Sequence, residues 1–307
     1  MAFEHAVTHQ KRNVPSIWAH ILRVIGRSGL PKAEGLVWRL GGMKLTSNAE
    51  FAVDFFGLRY HGNLAQHIDK HIWYFGAYTR CELVFLELLA TAIRKEKNYA
   101  VLMDIGANVG QHALYVSRFV DEVIAFEPAP KAIRQFKRNI SANSISNITL
   151  YEVALGDADS VGQLGTGFDG NSGSRSIVWT FDQAKNEEVV VKHGDTFVEN
   201  SGCGPIDIIK LDVEGFEKNV FVGLSKKLSI DRPIILFEMV GTDLVGGFRD
   251  LEDLKSKLYS DHTLFALTGT DKPRLQKYAW GDEAVVLVPN ERLNLVSQFF
   301  LVPSAAW

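Results

Sequence analysis

A chain of 307 residues with 46% apolar side chains can bury a large core, which excludes disorder over its whole length. Its 33 basic and 36 acidic side chains leave a net charge of −3, too even for a nucleic-acid footprint, so no nucleic-acid partner is expected. Only Cys81 and Cys203 occur, in no metal-ligand spacing, and neither the polar start nor any later run has the apolar length of a signal core or a membrane span; the expectation is a cytoplasmic protein with no stable membrane insertion.

In chain order, Ile17, Ile21, Leu22 and Ile25 fall on one helical face with Arg23 and Arg27 elsewhere. So sparse a basic face favours a helix packed on the main domain over one lying on a membrane. The Phe- and Val-rich stretch from Glu50 to Tyr60, interrupted at Gly57, predicts a strand pair. Leu64 to Ile72 and Glu82 to Ile93 read as helices, the second with Leu83, Leu86 and Ala90 on one side. His67 and His71 stand four apart with Asp69 between them and His61 before, which raises a metal site without supplying an evident third ligand. His112, His193 and His262 lie in no ligand spacing and read as structural. Residues 1–95 are expected to form a cap or packing layer, and 96–307 a separate domain.

That domain is organised around Val101 to Gly110. A buried strand ends at an acid, Asp104, and runs into a turn where Gly106 and Gly110 permit positive φ and close approach of a ligand. Val109, Ala113, Val116 and Val120 then recur at helical spacing. A dinucleotide fold asks for G-x-G-x-x-G over a pyrophosphate, whereas here an acid precedes the first glycine and the third glycine is missing. An acid at that place suits a ligand with an ammonium group and hydroxyls, and S-adenosylmethionine (SAM) is one. A second strand, Glu122 to Phe126, delivers Glu127 to accept ribose hydroxyls.

Beyond it the pattern predicts a helix from Pro130 to Ala142, with Ile133, Phe136 and Ile140 inward and Lys131, Arg134, Lys137 and Arg138 outward. A third strand, Ile148 to Val153, leads to Asp157. Gly162 to Ser176 reads as a long Gly- and Ser-rich loop with Phe168 and Arg175 as contact residues, and Val189 to Val191 resumes strand character. A fourth strand, Ile206 to Leu211, closes with Asp212 and Glu214. Lys210 sits within it and is assigned no chemistry beyond pairing with a carboxylate. A fifth strand, Pro233 to Phe237, ends in Glu238. A helix around Phe248 to Leu258 and an antiparallel closing pair, Leu264 to Leu267 with Ala284 to Val288, complete the chain. Strands alternating with helices imply an α/β fold with a doubly wound, mostly parallel sheet, on whose carboxyl edge Asp104, Glu127, Asp157, Asp212 and Glu238 converge.

Four segments in register, Met103 to Gly110, Phe126-Glu127-Pro128, Val153 to Asp157 and Ile209 to Glu217, resemble the FkbM-type group of class I SAM-dependent methyltransferases over roughly Glu82 to Val240. The resemblance implies a seven-stranded Rossmann-like sheet and SAM as cofactor. It implies that Asp104, Gly106, Ala107, Asn108 and Gly110 wrap the methionine end, Glu127 holds the ribose and Asp157 lies by the adenine. Asp212, then Glu214, are the expected catalytic residues for methyl transfer to a hydroxyl of a small-molecule or glycan-type acceptor; no metal ligands are assigned. Transfer to nitrogen or carbon, binding without turnover, and a nicotinamide-dependent oxidoreductase are the competing readings, the last opposed by the missing glycine pattern.

Overall fold

The computed structural model describes residues 14–42, 44, 48–164, 187–239 and 247–300. Its contacts group the chain into two units, Met1–Tyr78 and Thr79–Trp307. The smaller unit holds α1 (Ile17–Gly26), α2 (Ala33–Arg39), a hairpin of β1 (Glu50–Phe55) and β2 (Leu58–Asn63), and α3 (His67–Phe75). Phe51, Val53 and Phe55 alternate inward along β1 while Glu50, Ala52 and Asp54 face out. Phe56 and Gly57, at φ of 53° and 86°, make the two-residue turn whose positive φ values match the twist of the strands, so the Gly57 interruption is the hairpin tip. Asp69 of α3 fastens the hairpin: its carboxylate accepts from the Tyr60 hydroxyl at 2.6 Å and from the Asn63 N–H at 2.7 Å. Helix α1 packs differently from the expectation. Ala19 and Leu22 are buried, with the Trp73 indole donating to the Ala19 carbonyl at 3.2 Å, while Ile17 and Ile21 are exposed. The period was legible, but aromatic contacts to α3 rotate a different stripe inward.

The larger unit opens with α4 (Arg80–Lys97). It continues through β3 (Val101–Ile105), α5 (Gln111–Val116), β4 (Glu122–Phe126), α6 (Pro130–Ala142), β5 (Ile148–Tyr151), β6 (Ala154–Gly156), β7 (Ser160–Leu164) and β8 (Glu187–His193). Then come α7 (Gly194–Asn200), β9 (Ile208–Leu211), α8 (Glu217–Gly223), α9 (Ser225–Asp231), β10 (Ile234–Glu238), α10 (Leu251–Lys255), β11 (His262–Thr268), β12 (Arg274–Lys277), β13 (Ala284–Pro289) and α11 (Leu293–Val296). Among the described residues the main sheet has eight strands, in the order β12-β11-β13-β10-β9-β3-β4-β5. Strands β10, β9, β3, β4 and β5 run parallel, and β13, β11 and β12 close the sheet antiparallel. The fold is the doubly wound α/β arrangement that the sequence implied. Eight strands replace the expected seven because β12 buries only Leu275 of its four residues, too little alternation to register as a strand.

Two further differences concern the third strand and the last helix. The main-sheet strand stops at Tyr151, and Ala154 to Gly156 turns away to start a separate sheet of order β6-β8-β7. Helix α10 is short because Asp250, whose carboxylate accepts from the Asp253 N–H at 2.8 Å, caps it late. Of the Gly162 to Ser176 loop, Gly162 to Leu164 belong to β7; Phe168, Arg175 and the remainder lie outside the described residues.

Every residue of β3 and β9 is buried, as parallel strands covered on both faces must be. At their amino edge Asp207 accepts from the Val101 N–H at 3.2 Å and pairs with Lys97 and with Arg292 at 3.7 Å. This acid holds helices to the sheet at the edge opposite to the one where ligands bind in such folds.

Candidate active site

The pairing register sets the site. Asp104 opposes Lys210, Ile105 opposes Leu211 and Phe126, and Leu211 opposes Phe237. One residue further along these parallel strands, Glu127, Gly106, Asp212 and Glu238 therefore stand in a row at the carboxyl edge.

The turn after β3 is held by hydrogen bonds from both sides. The Gly106 and Ala107 N–H groups both donate to the Phe126 carbonyl at 3.0 Å, and the Asp212 N–H donates to Ile105 at 3.0 Å. The glycines serve the protein's own packing. At Gly106, φ +78°, a Cβ would lie 1.8 Å from the Asp212 carbonyl oxygen; at Gly110, φ +83°, it would lie 2.1 Å from the Phe136 ring. The positive φ that the sequence asked for is present at both glycines, and the residue after β9 and a ring of α6 already fill the space a side chain would take. Asn108, also at positive φ (51°), presents its N–H to Glu127 at 2.7 Å.

Glu127 is almost fully enclosed, and its second oxygen accepts the Ala129 N–H at 2.7 Å. Burial raises its carboxyl to about 7 against the lowering effect of these two N–H groups. It thus clamps the turn after β3 to the start of α6, and each oxygen keeps a further lone pair for a ligand hydroxyl. Asp104 is completely enclosed. One of its oxygens accepts the Ala113 N–H at 3.1 Å, and the other, with no hydrogen bond, lies 3.9 Å from the Lys210 ammonium. Desolvation pushes its pKa up while Lys210 pulls it down. Asp104 thereby anchors α5 and shares Lys210.

Lys210 is the hub that sequence reasoning left without chemistry. Its ammonium donates to Asp212 at 3.1 Å and sits 3.5 Å from the Gly106 carbonyl. Burial opposes its charge, yet Asp212 and Asp104 keep it firmly protonated. Burial likewise works against the Asp212 carboxylate, but the Lys210 charge and hydrogen bond outweigh it and hold that carboxyl below the usual range. Asp212 also shares a side-chain hydrogen bond with the Glu238 carboxyl. Glu238, next in the row, is driven up by desolvation and by the Asp212 charge.

Glu214 follows Asp212 in a turn where it adopts φ +53°, ahead of Gly215 at φ +100°. It does not cap α8; Glu217 performs that local bonding, accepting the Val213 N–H at 3.2 Å and the Gly215 N–H at 3.0 Å. Desolvation, then the Asp212 and Glu217 charges, raise Glu214 to about 7. His112 and Glu82 complete the surroundings. The buried His112 places Nε2 3.1 Å from Glu82 and 3.4 Å from the Thr79 hydroxyl. A contact spanning thirty residues between two helices leaves no spacing in the sequence, so no motif could have announced it.

Asp157 does not enter this row. It is exposed, follows β6 in the second sheet and accepts a hydrogen bond from Asn219 of α8 at 3.1 Å. In the smaller unit, the Asp69 carboxylate is taken by the hairpin, and the His67 and His71 rings lie 4.4 Å apart, tilted by 55°, beside Tyr78. Burial lowers His67 to about 4. Among the described residues no cluster of three His, Cys, Asp or Glu side chains is arranged to hold a metal ion.

The family model described as Methyltransferase FkbM domain matches residues 104–260, about half of the 307 residues. Methyltransferase 1 of Beauveria bassiana is 26% identical over 201 residues, covering 58% of this chain and 78% of its own length. The 2-O-methyltransferase NoeI of Sinorhizobium fredii is 27% identical over 158 residues, covering 45% of this chain and 62% of its own. The crystal structure of Methyltransferase FkbM from Methylobacillus flagellatus superposes with a TM-score of 0.41 at 15% identity, covering 83% of this chain and 60% of that one. The chain therefore spans less than two thirds of the length of the latter two.

Proposed function

Because this chain belongs to the FkbM methyltransferase family, we propose that it moves the methyl group of SAM to a hydroxyl of a small-molecule or glycan-type acceptor. The observation that carries the reading is the charge of the carboxyl-edge row. Asp212, Asp104 and Glu82 act on one buried cation, Lys210, with Glu127, Glu214 and Glu238 beside these acids, and a buried oxygen of Asp104 lacks a hydrogen-bond donor. A site of that sign suits a ligand that brings a sulfonium and an ammonium group, and repels the pyrophosphate of a nicotinamide dinucleotide.

When bound, SAM supplies a methyl group on a positively charged sulfur, which leaves with the bonding electron pair as the acceptor oxygen takes the methyl. The chain's own work is to align and to accept a proton. The turn from Ala107 to Gly110 and Glu127 hold the cofactor, and Asp104, being enclosed, acts through Lys210 and α5. Asp212, kept ionised by Lys210, orients the acceptor hydroxyl. Glu214, with a carboxyl near 7, is the better matched general base, because proton transfer is most effective when the acceptor's pKa lies near the working pH. The structure thus favours the reverse of the order in which the sequence ranked these two acids. The name of NoeI, a 2-O-methyltransferase, supports a hydroxyl acceptor. Calorimetric titration with SAM and then NAD, followed by locating the transferred methyl by NMR of the product, tests the proposal; binding of NAD alone, or a methyl on nitrogen or carbon, defeats it.

Two outcomes follow from these roles. Glu127→Ala is expected to weaken SAM binding at least about tenfold, since charge-assisted hydrogen bonds contribute about 1.5–3 kcal/mol each. Part of that loss arises from freeing the Asn108 N–H, so hydrogen exchange at Asn108 should quicken even without ligand; unchanged affinity in calorimetry would remove Glu127 from the pocket. The second concerns pH. Glu214 is protonated and idle below about 7 and ionised above it, so kcat should climb through that value and level off. Glu214→Gln should lower kcat and flatten this limb, and an intact limb in the variant assigns the base elsewhere.

A further inference from the structure

We propose that the α1–α2 face of the smaller unit docks onto an anionic lipid surface. Among the described residues, large apolar side chains stand exposed in one dense patch. Val14 (73%), Ile17 (83%), Trp18, Ile21, Val24 (72%), Leu30, Leu36 and Leu40 all fall within 27 consecutive residues. Ile17, Ile21 and Val24 are one helical stripe, opposite the buried Ala19 and Leu22. The Trp18 indole donates to the Leu40 carbonyl at 3.3 Å, which sets the start of α1 beside the end of α2 and joins the two sets of apolar residues. Scattered exposed aliphatics are ordinary; a contiguous set with an indole among them marks a surface that something covers.

The charges around the patch select the occupant. Residues 14–44 carry Arg23, Arg27, Lys32, Arg39 and Lys44 against Glu34 alone, in a chain whose net charge is −3. Arg27 is spent on the Ile72 and Trp73 carbonyls and Arg23 lies over the Trp73 ring. Lys32, Arg39 and Lys44 are exposed and make no ion pair among the described residues; Lys32 and Arg39 flank Leu36 and Leu40 on α2. Glu34 is engaged by the Trp38 indole at 3.2 Å and lies 3.9 Å from His71. A second copy would bring the same cations against themselves across a two-fold contact, which disfavours self-association. A surface of anionic headgroups instead accepts the cations while the aliphatics and Trp18 enter the acyl boundary. Among the described residues no helix is long and apolar enough to cross a membrane, so the contact is peripheral.

The test is co-sedimentation of the full chain with vesicles of phosphatidylcholine alone and of phosphatidylcholine with about one-third phosphatidylserine. Binding is expected to the mixed vesicles only, and to drop at least about tenfold in each of two variants, Ile17→Asp/Ile21→Asp and Lys32→Glu/Arg39→Glu/Lys44→Glu. Both change exposed positions, so circular dichroism and SAM affinity should match the parent. Absence of binding to the mixed vesicles, or binding that neither variant lowers, overturns the proposal. So does a dimer in sedimentation velocity that Ile17→Asp/Ile21→Asp dissociates while vesicle binding is absent.

Discussion

Gly106→Ala is expected to cost the larger unit several kcal/mol of stability and with it the cofactor site. A left-handed φ of +78° costs an ordinary residue about 1–2 kcal/mol. Collision adds to this: the new Cβ would stand 1.8 Å from the Asp212 carbonyl oxygen, so β3 and β9 must part or the turn must move. Overpacking of that kind costs about 1–3 kcal/mol or more, and the sum is a large share of the roughly 5–15 kcal/mol that keeps a domain folded. Gly202→Ala is the matched control. Gly202 has φ +68° with nothing within 4 Å of its Cβ position, so it carries the conformational strain without the collision. Thermal melts should therefore separate the two variants by about ten degrees, with Gly106→Ala the lower. Equal melting temperatures together with undiminished SAM binding would mean that the turn yields freely and does not shape the pocket.

Asp212→Asn should reduce turnover at least tens-fold, about 2 kcal/mol or more of transition-state stabilisation. Asn keeps the size and one acceptor oxygen but removes the charge that faces Lys210 at 3.1 Å. The buried ammonium is then left with Asp104 at 3.9 Å, and a sulfonium placed nearby meets an under-compensated cation. Stability and SAM affinity should therefore fall along with kcat. Adding Lys210→Met to the variant separates these effects, because it removes the stranded charge. The double variant should recover stability and part of the SAM affinity while kcat stays low. If kcat recovers too, Asp212 serves only to neutralise Lys210 and has no role at the acceptor. If kcat never falls, the orienting group must be sought at Glu238 or the Glu82–His112 pair.

The sequence by itself determined the elements and their order. A strand buried on both faces, a turn that needs positive φ and a helix with one apolar stripe each leave a local signature, so β4, α6 and the Gly106 to Gly110 turn stood where periodicity put them, while β3 runs two residues later than the Tyr99 to Met103 run and takes in Asp104. It also marked the strand ends as acids, and the parallel register then fixed Glu127, Asp212 and Glu238 on one edge. Only the tertiary structure decided what those residues experience. That Gly106 is glycine for the sake of the Asp212 carbonyl, and Gly110 for the Phe136 ring, is a meeting of distant segments that no local pattern encodes. The same holds for Lys210, whose partners lie on two strands, and for Glu82 reaching His112 across two helices. Asp157 shows the limit from the other side: a motif gave its place in the chain, while the break after Tyr151 carried it into a different sheet. Desolvation and charge pairing act through space, so the opposite pulls on the Asp212 and Glu214 carboxyls, and the outward turn of Ile17 and Ile21, became readable only once neighbours remote in sequence were brought together.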